Sequence, residues 1–161
     1  MSEQLDFKKV EKAYYQPPTK PHIIEIPPMI FIKVEGQGDP NKAPAYQEAV
    51  QMLYGLSFTI KMSKEKPQGH FDYTVPPLEG LWSLGRAEFP QAQFTSGDKR
   101  GFIWKSIMRQ PDFVTEEVFQ KAREALAKKR PELDLNKAEL WHFTEGLVVQ
   151  MMHIGPYDSE L

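Results

Sequence analysis

The sequence predicts an α+β fold, and three features predict it. Short apolar runs alternate with polar residues at a period of two, the mark of strands half-covered by a core. Two longer segments repeat their apolar residues at spacings of three and four, the mark of amphipathic helices. These segments follow one another as strand, helix, strands, helix, strands.

Taken in order, residues 1–26 read as an arm preceding a domain that spans 27–161. Pro17, Pro18 and Pro21 keep the arm extended, and Leu5, Phe7, Val10, Tyr14 and Tyr15 mark it as a leader docked on something. Residues 29–35 (MIFIKVE) form a strand with Ile30, Ile32 and Val34 on one face, ended by the turn Gly36 to Pro40. That Gly-x-Gly lacks a following GK[ST] and is a turn, not a phosphate loop. Residues 44–62 form a helix with the stripe Tyr46, Ala49, Val50, Leu53 and Leu56 and a first-turn proline, Pro44. Its last residues, FTIKM, also read as a strand. Pro76 and Pro77 make residues 73–84 a bulged or edge strand, or two short ones. Residues 86–100 are a hairpin connection with its turn at Ser96-Gly97-Asp98, leading to a strand at 102–109. On that strand Phe102, Trp104, Ser106 and Met108 share one face. Thr115 caps a helix to about residue 129, with Glu116 and Glu117 at its positive end, Lys128 and Lys129 at its negative end, and Pro131 as its stop. Strands follow at 138–143 and 146–154.

MIFIKVEGQGDP and VVQMMHIGPYD echo each other, each an apolar run closed by Gly and then Pro and Asp. Shared strand-to-turn chemistry explains the echo, or else the chain is a duplicated strand–helix–strand–strand module. In the second case the helix beginning at Tyr157 breaks off, so the chain reads as partial, with its last helix and strand missing, or else as a genuinely short variant. A truncated module exposes apolar surface and favours self-association as a homodimer.

The 161 residues are 40% hydrophobic and 26% charged, an ordinary globular composition of one domain's length. A net charge of −2 with interspersed signs disfavours nucleic acid as a partner, since phosphate neutralisation needs a basic excess. There is no cysteine, which excludes disulfides and thiolate chemistry. The four histidines have no metal-ligand spacing, and His153 reads as a core residue. No apolar run approaches the ~20 residues of a membrane span and the start carries no signal segment, so the expectation is a cytoplasmic protein without a membrane partner. No cofactor or metal is expected.

The segments YTVPPLEGLW (73–82), WKSIMRQPDFVTEE (104–117) and GLVVQMMHIGPYD (146–158) resemble the GyrI-like, or effector-binding-domain, superfamily, in particular its stand-alone subgroup without a DNA-binding domain. PLEGLW and HIGPYD are the more specific pieces. The resemblance implies two βαββ modules around a pseudo-twofold axis, with an aromatic, acidic ligand pocket between them. Some members of that subgroup hydrolyse reactive cyclopropane-bearing compounds. The glutamate that the family carries on its last strand has no matching position here.

Together, residues and resemblance nominate Glu79 and Tyr73 as catalytic, and Trp82, Trp104, Tyr157 and Arg109 as ligand-binding. Trp and Tyr rings offer flat walls to a planar or cationic guest. Glu79 stands in an apolar PLEGL setting, where burial raises a carboxyl's pKa towards neutrality. Each also has a structural reading: Trp104, Trp82 and Tyr73 as core, Glu79 as a turn cap before Gly80, Arg109 as half of an ion pair, Tyr157 as part of a helix start. Methionines 52, 62, 151 and 152 read as adaptable core, or as a yielding pocket wall.

Three functions follow. The first is binding of hydrophobic, planar or cationic small molecules. The second is hydrolysis of a strained electrophilic ring, with a carboxylate activating water and a tyrosine polarising a conjugated carbonyl. The third is a gyrase or other protein interaction partner, for which the sequence marks no surface.

Overall fold

A computed structural model describes residues 3–84 and 102–155. The turn at Ser96-Gly97-Asp98 and the helix start at Tyr157 lie outside them. The fold is α+β, with two antiparallel sheets.

The main sheet has the order β3-β4-β2-β5, built from β2 (Met29–Gln37), β3 (Leu78–Leu84), β4 (Phe102–Gln110) and β5 (Ala138–Phe143). Two helices cover one face, α3 (Pro44–Lys61) and α4 (Glu116–Lys129). The core between helices and sheet holds Ile32, Val34, Leu53, Leu56, Trp104, Met108, Phe119 and Leu126. The helix stripes supply one side of it and the even-numbered residues of β2 and β4 the other. Thr115 caps α4, its hydroxyl accepting from the Val118 amide, as its position before two glutamates predicts. FTIK stays helical to Lys61, because Ile60 completes the buried stripe against the sheet. Gly55 lets the two helices approach: a Cβ there would meet Leu126 Cδ2 at 2.9 Å. No helix among the described residues is long and apolar enough to cross a membrane.

Residues 3–26 depart from the extended leader. They form two helical turns, α1 (Phe7–Val10) and α2 (Lys12–Tyr15), and then strand β1 (His22–Ile26). The prolines follow the turns rather than interrupting them, and the Asp6 carboxylate caps the first by accepting from Lys8 N. β1 pairs with β6 (Gly146–Gln150) in a two-stranded ribbon. β6 stops at Gln150, short of the expected residue 154.

The ribbon continues the main sheet. Ile26 pairs with Gly146 and Met29 with Phe143, three residues on along each strand, so one register runs through both sheets. Pro27-Pro28 lack the amides needed to hold the ladder, and Gly146 opposite takes a left-handed φ of 74°. Among the described residues one βαββ unit is complete, β2-α3-β3-β4.

Candidate functional site

The main sheet's second face is where the chemistry collects. Side chains alternate across a strand, so Trp104, Ser106 and Met108 of β4 point to the helices while Lys105, Ile107 and Arg109 point away. On the neighbouring β3, Glu79 pairs with Ile107 and shares its face with Leu81. A second, smaller core lies here, made of Ile26, Met29, Phe31 and Ile107 with Tyr14, Leu81, Trp141, Phe143 and Val148 packed against it.

Between sheet, ribbon and N-terminal segment is a cavity of about 230 Å³. Phe31 and Phe143 line the sheet side, Val148 and Gln150 the ribbon side, Tyr14 and Tyr15 the arm, with two carboxylates, Glu79 and Glu145. The Trp141 and Phe143 rings stack behind it, 4.2 Å apart and inclined by 13°. The volume falls just below the roughly 300–1,000 Å³ of drug-sized sites, so it suits a guest of one or two rings.

Glu79 lines this cavity and remains exposed to water. Even so, the surrounding apolar walls push its carboxyl up to about 7, Glu145 adds repulsion in the same sense, and Arg109 opposes both. Solvent at this exposed residue screens part of the effect, whose direction is upward.

Arg109 fixes the arm. It is 8% exposed and forms an ion pair with Glu11, while its Nη1 donates to the Tyr15 hydroxyl at 3.3 Å. Its guanidinium also lies 4.1 Å from the centre of the Phe7 ring. Two contacts from β6 and the residues just after it add to the attachment: Gln150 Nε2 donates to the Tyr14 carbonyl and the Met152 amide to the Pro18 carbonyl, both at 2.8 Å.

The other residues nominated from sequence lie elsewhere. Trp104 is 1% exposed in the helix-side core, with the Tyr46 ring edge-on at 5.2 Å. Trp82 is 44% exposed and packs on Tyr46 and Phe102, also on the helix side. It is three residues from Glu79 on one strand, an odd spacing that forces opposite faces. Tyr73 is 2% exposed among Phe71 and Phe113, and burial, followed by the Asp72 charge, pushes its phenol up to about 12. Of the described nominees, Glu79 and Arg109 therefore lie on the sheet face that carries the cavity, and Trp82 and Trp104 lie on the opposite one. Reasoning from sequence passed over Tyr15, Phe31, Phe143, Trp141 and Glu145. The signal for Phe31 and Trp141 was strand alternation, which puts them opposite Ile32 and Leu140; nothing local placed Tyr15 against Arg109.

A larger hollow, about 910 Å³, lies on the helix side between the end of α3, residues 63–68 and α4. Within it Lys121 pairs with Glu65 at 2.9 Å and with Glu117 at 3.5 Å. It lacks the stacked aromatic wall and the perturbed acid of the smaller cavity. No group of side chains suited to hold a metal ion occurs among the described residues.

No protein-family model matches the chain, and no curated protein does. Solved structures do. A hydrolase from Listeria innocua is 43% identical with a TM-score of 0.83, the match covering 97% of this chain and 77% of that one. An uncharacterized conserved protein from Listeria innocua is 46% identical with a TM-score of 0.85, covering 98% and 75%. A hydrolase encoded by lin2189 of the same organism is 44% identical with a TM-score of 0.85, again covering 98% and 75%.

Proposed function

The chain belongs to the same family as these Listeria innocua proteins, and from that premise we propose that it is a small-molecule hydrolase whose substrate binds in the cavity beside Glu79. The observation that carries this reading is Glu79 itself, a carboxyl near neutrality set between aromatic walls and the docked arm. Phe31 and Phe143 offer apolar surface to a hydrophobic, planar guest. Glu145 beside Glu79 adds negative charge that suits a cationic one.

In this reading Glu79 is the general base. Its raised pKa makes it a stronger proton acceptor than an ordinary carboxylate, and it accepts the proton of a water that attacks the substrate. The resemblance of PLEGLW and HIGPYD to GyrI-like proteins supports an electrophilic, cyclopropane-bearing substrate. Water's oxygen then bonds to a ring carbon, the strained carbon–carbon bond breaks, and its electron pair moves into a conjugated carbonyl.

The test is incubation with a spirocyclopropane cyclohexadienone, read by mass for the addition of one water. Turnover is expected, with kcat reduced about 10²–10⁴-fold in Glu79→Gln. Thermal stabilisation by the compound without ring opening would leave a binding protein and remove the hydrolase. Neither stabilisation nor turnover would remove both.

A further inference from the structure

We propose that Tyr15, carried by the N-terminal segment rather than by the sheet, is a catalytic residue that donates a hydrogen bond to the substrate's carbonyl oxygen as negative charge develops there. This rests on the hydrolytic reading of the same cavity.

Tyr15 lines the cavity together with Glu79. Its oxygen accepts from Arg109 Nη1 at 3.3 Å. A guanidinium has no acceptor capacity, so the phenol cannot return its own proton to Arg109 and must direct it elsewhere. Arg109 is already engaged by Glu11, whose carboxylate accepts from both Nη1 and Nη2. Arg109 and Glu11 are thus positioning residues: they fix the tyrosine oxygen and leave its O–H as the group offered to a guest.

Of the other side-chain donors among the described lining residues, the Gln150 amide has one N–H committed to the Tyr14 carbonyl, and the Tyr14 hydroxyl has no hydrogen bond among the described residues to fix it. Lys33 and Lys105 lie on the same sheet face but outside the cavity lining, and both pair with Glu35. Burial raises the Tyr15 pKa, with Arg109 pulling down and Glu79 and Glu11 pushing up, so the phenol stays protonated and able to donate at neutral pH.

The step balances. Glu79 takes one proton from water as the carbon–oxygen bond forms and the ring bond breaks. The released electron pair arrives on the carbonyl oxygen, which Tyr15 stabilises by donation and then protonates. The proton held by Glu79 returns to the Tyr15 phenolate through cavity water. The sum is substrate plus one water, with no oxidant or reductant.

Two measurements test it. With the spirocyclopropane substrate, Tyr15→Phe is expected to lower kcat about 10²–10³-fold while KM stays within about threefold. Arg109→Lys should lower kcat less, because a single ammonium still reaches the phenol. With 4-(dimethylamino)cinnamaldehyde, a conjugated carbonyl dye that absorbs at longer wavelength when its oxygen accepts a hydrogen bond, wild type and Glu79→Gln should shift the band and Tyr15→Phe should not. Unchanged kcat in Tyr15→Phe, or a dye shift that survives it, overturns the assignment, as does a dye that fails to bind wild type. An inert wild type that still shifts the dye through Tyr15 sinks the hydrolase reading and leaves the donor in place.

Discussion

Arg109 of β4 and Glu11 of the N-terminal segment, 98 positions apart, form the ion pair that pins the segment to the sheet. Breaking a buried pair costs roughly 3–5 kcal/mol, and partial exposure of the carboxylate reduces that. Glu11 is 28% exposed and Arg109 8%. Arg109→Ala, which also removes the contact with Phe7, is expected to cost about 2 kcal/mol. Urea unfolding measures the loss, and faster amide exchange around residues 7–15 would show the segment detaching.

Glu79 ties stability to pH. Its ordinary value is 4.5 and the fold raises it to about 7. Between those values the folded protein holds more protons than the unfolded chain, so this group's contribution to stability falls as pH rises from about 4.5 through 7. Glu79→Gln removes the slope. The variant should melt above wild type at pH 8, and the difference should shrink by pH 4.5. A constant difference across that range would show that Glu79 is not the titrating group.

Gly36 lies against the Trp104 ring so closely that a Cβ there would stand 2.2 Å from Cζ2. Trp104 is 1% exposed and has nowhere to move. Gly36→Ala is expected to destabilise by about 1–3 kcal/mol, the usual cost of overpacking. Phe at position 104 lacks the indole's far atoms, so Gly36→Ala should cost less in a Trp104→Phe background. A double-mutant cycle by denaturant unfolding reads that coupling, and additive costs would contradict the contact.

Gly146, opposite Ile26 where the ribbon leaves the sheet, holds a φ of 74° with open space around it. Gly146→Ala should therefore cost about 1–2 kcal/mol through backbone strain alone, and Gly146→Asn distinctly less, since Asn tolerates that region. Thermal unfolding of the two variants side by side distinguishes strain from packing.

Much of the architecture was legible from residue order. Thr115 before two glutamates marked the start of α4, and the Tyr46-to-Leu56 stripe marked the body of α3, because capping and amphipathic periodicity act over a few residues. Pro76 and Pro77 argued against a central strand over residues 73–84, and β3, which begins after them at Leu78, ends the main sheet's order among the described residues. The site was legible only in part. Glu79 was picked out by its apolar setting and Arg109 by its charge, but Trp82 was grouped with Glu79 although their spacing on one strand separates them.

The sequence by itself determined the α+β class, both long helices, the positions of most strands and the acid worth attention. These depend on periodicity, capping and proline, forces that neighbours in the chain settle among themselves. The tertiary structure alone decided which residues surround Glu79. Phe31 arrives by strand pairing, Tyr15 through Arg109, and Glu145 by the ribbon that β1 forms with β6. Such contacts join residues about 100 positions apart, and no local pattern encodes a partner at that distance.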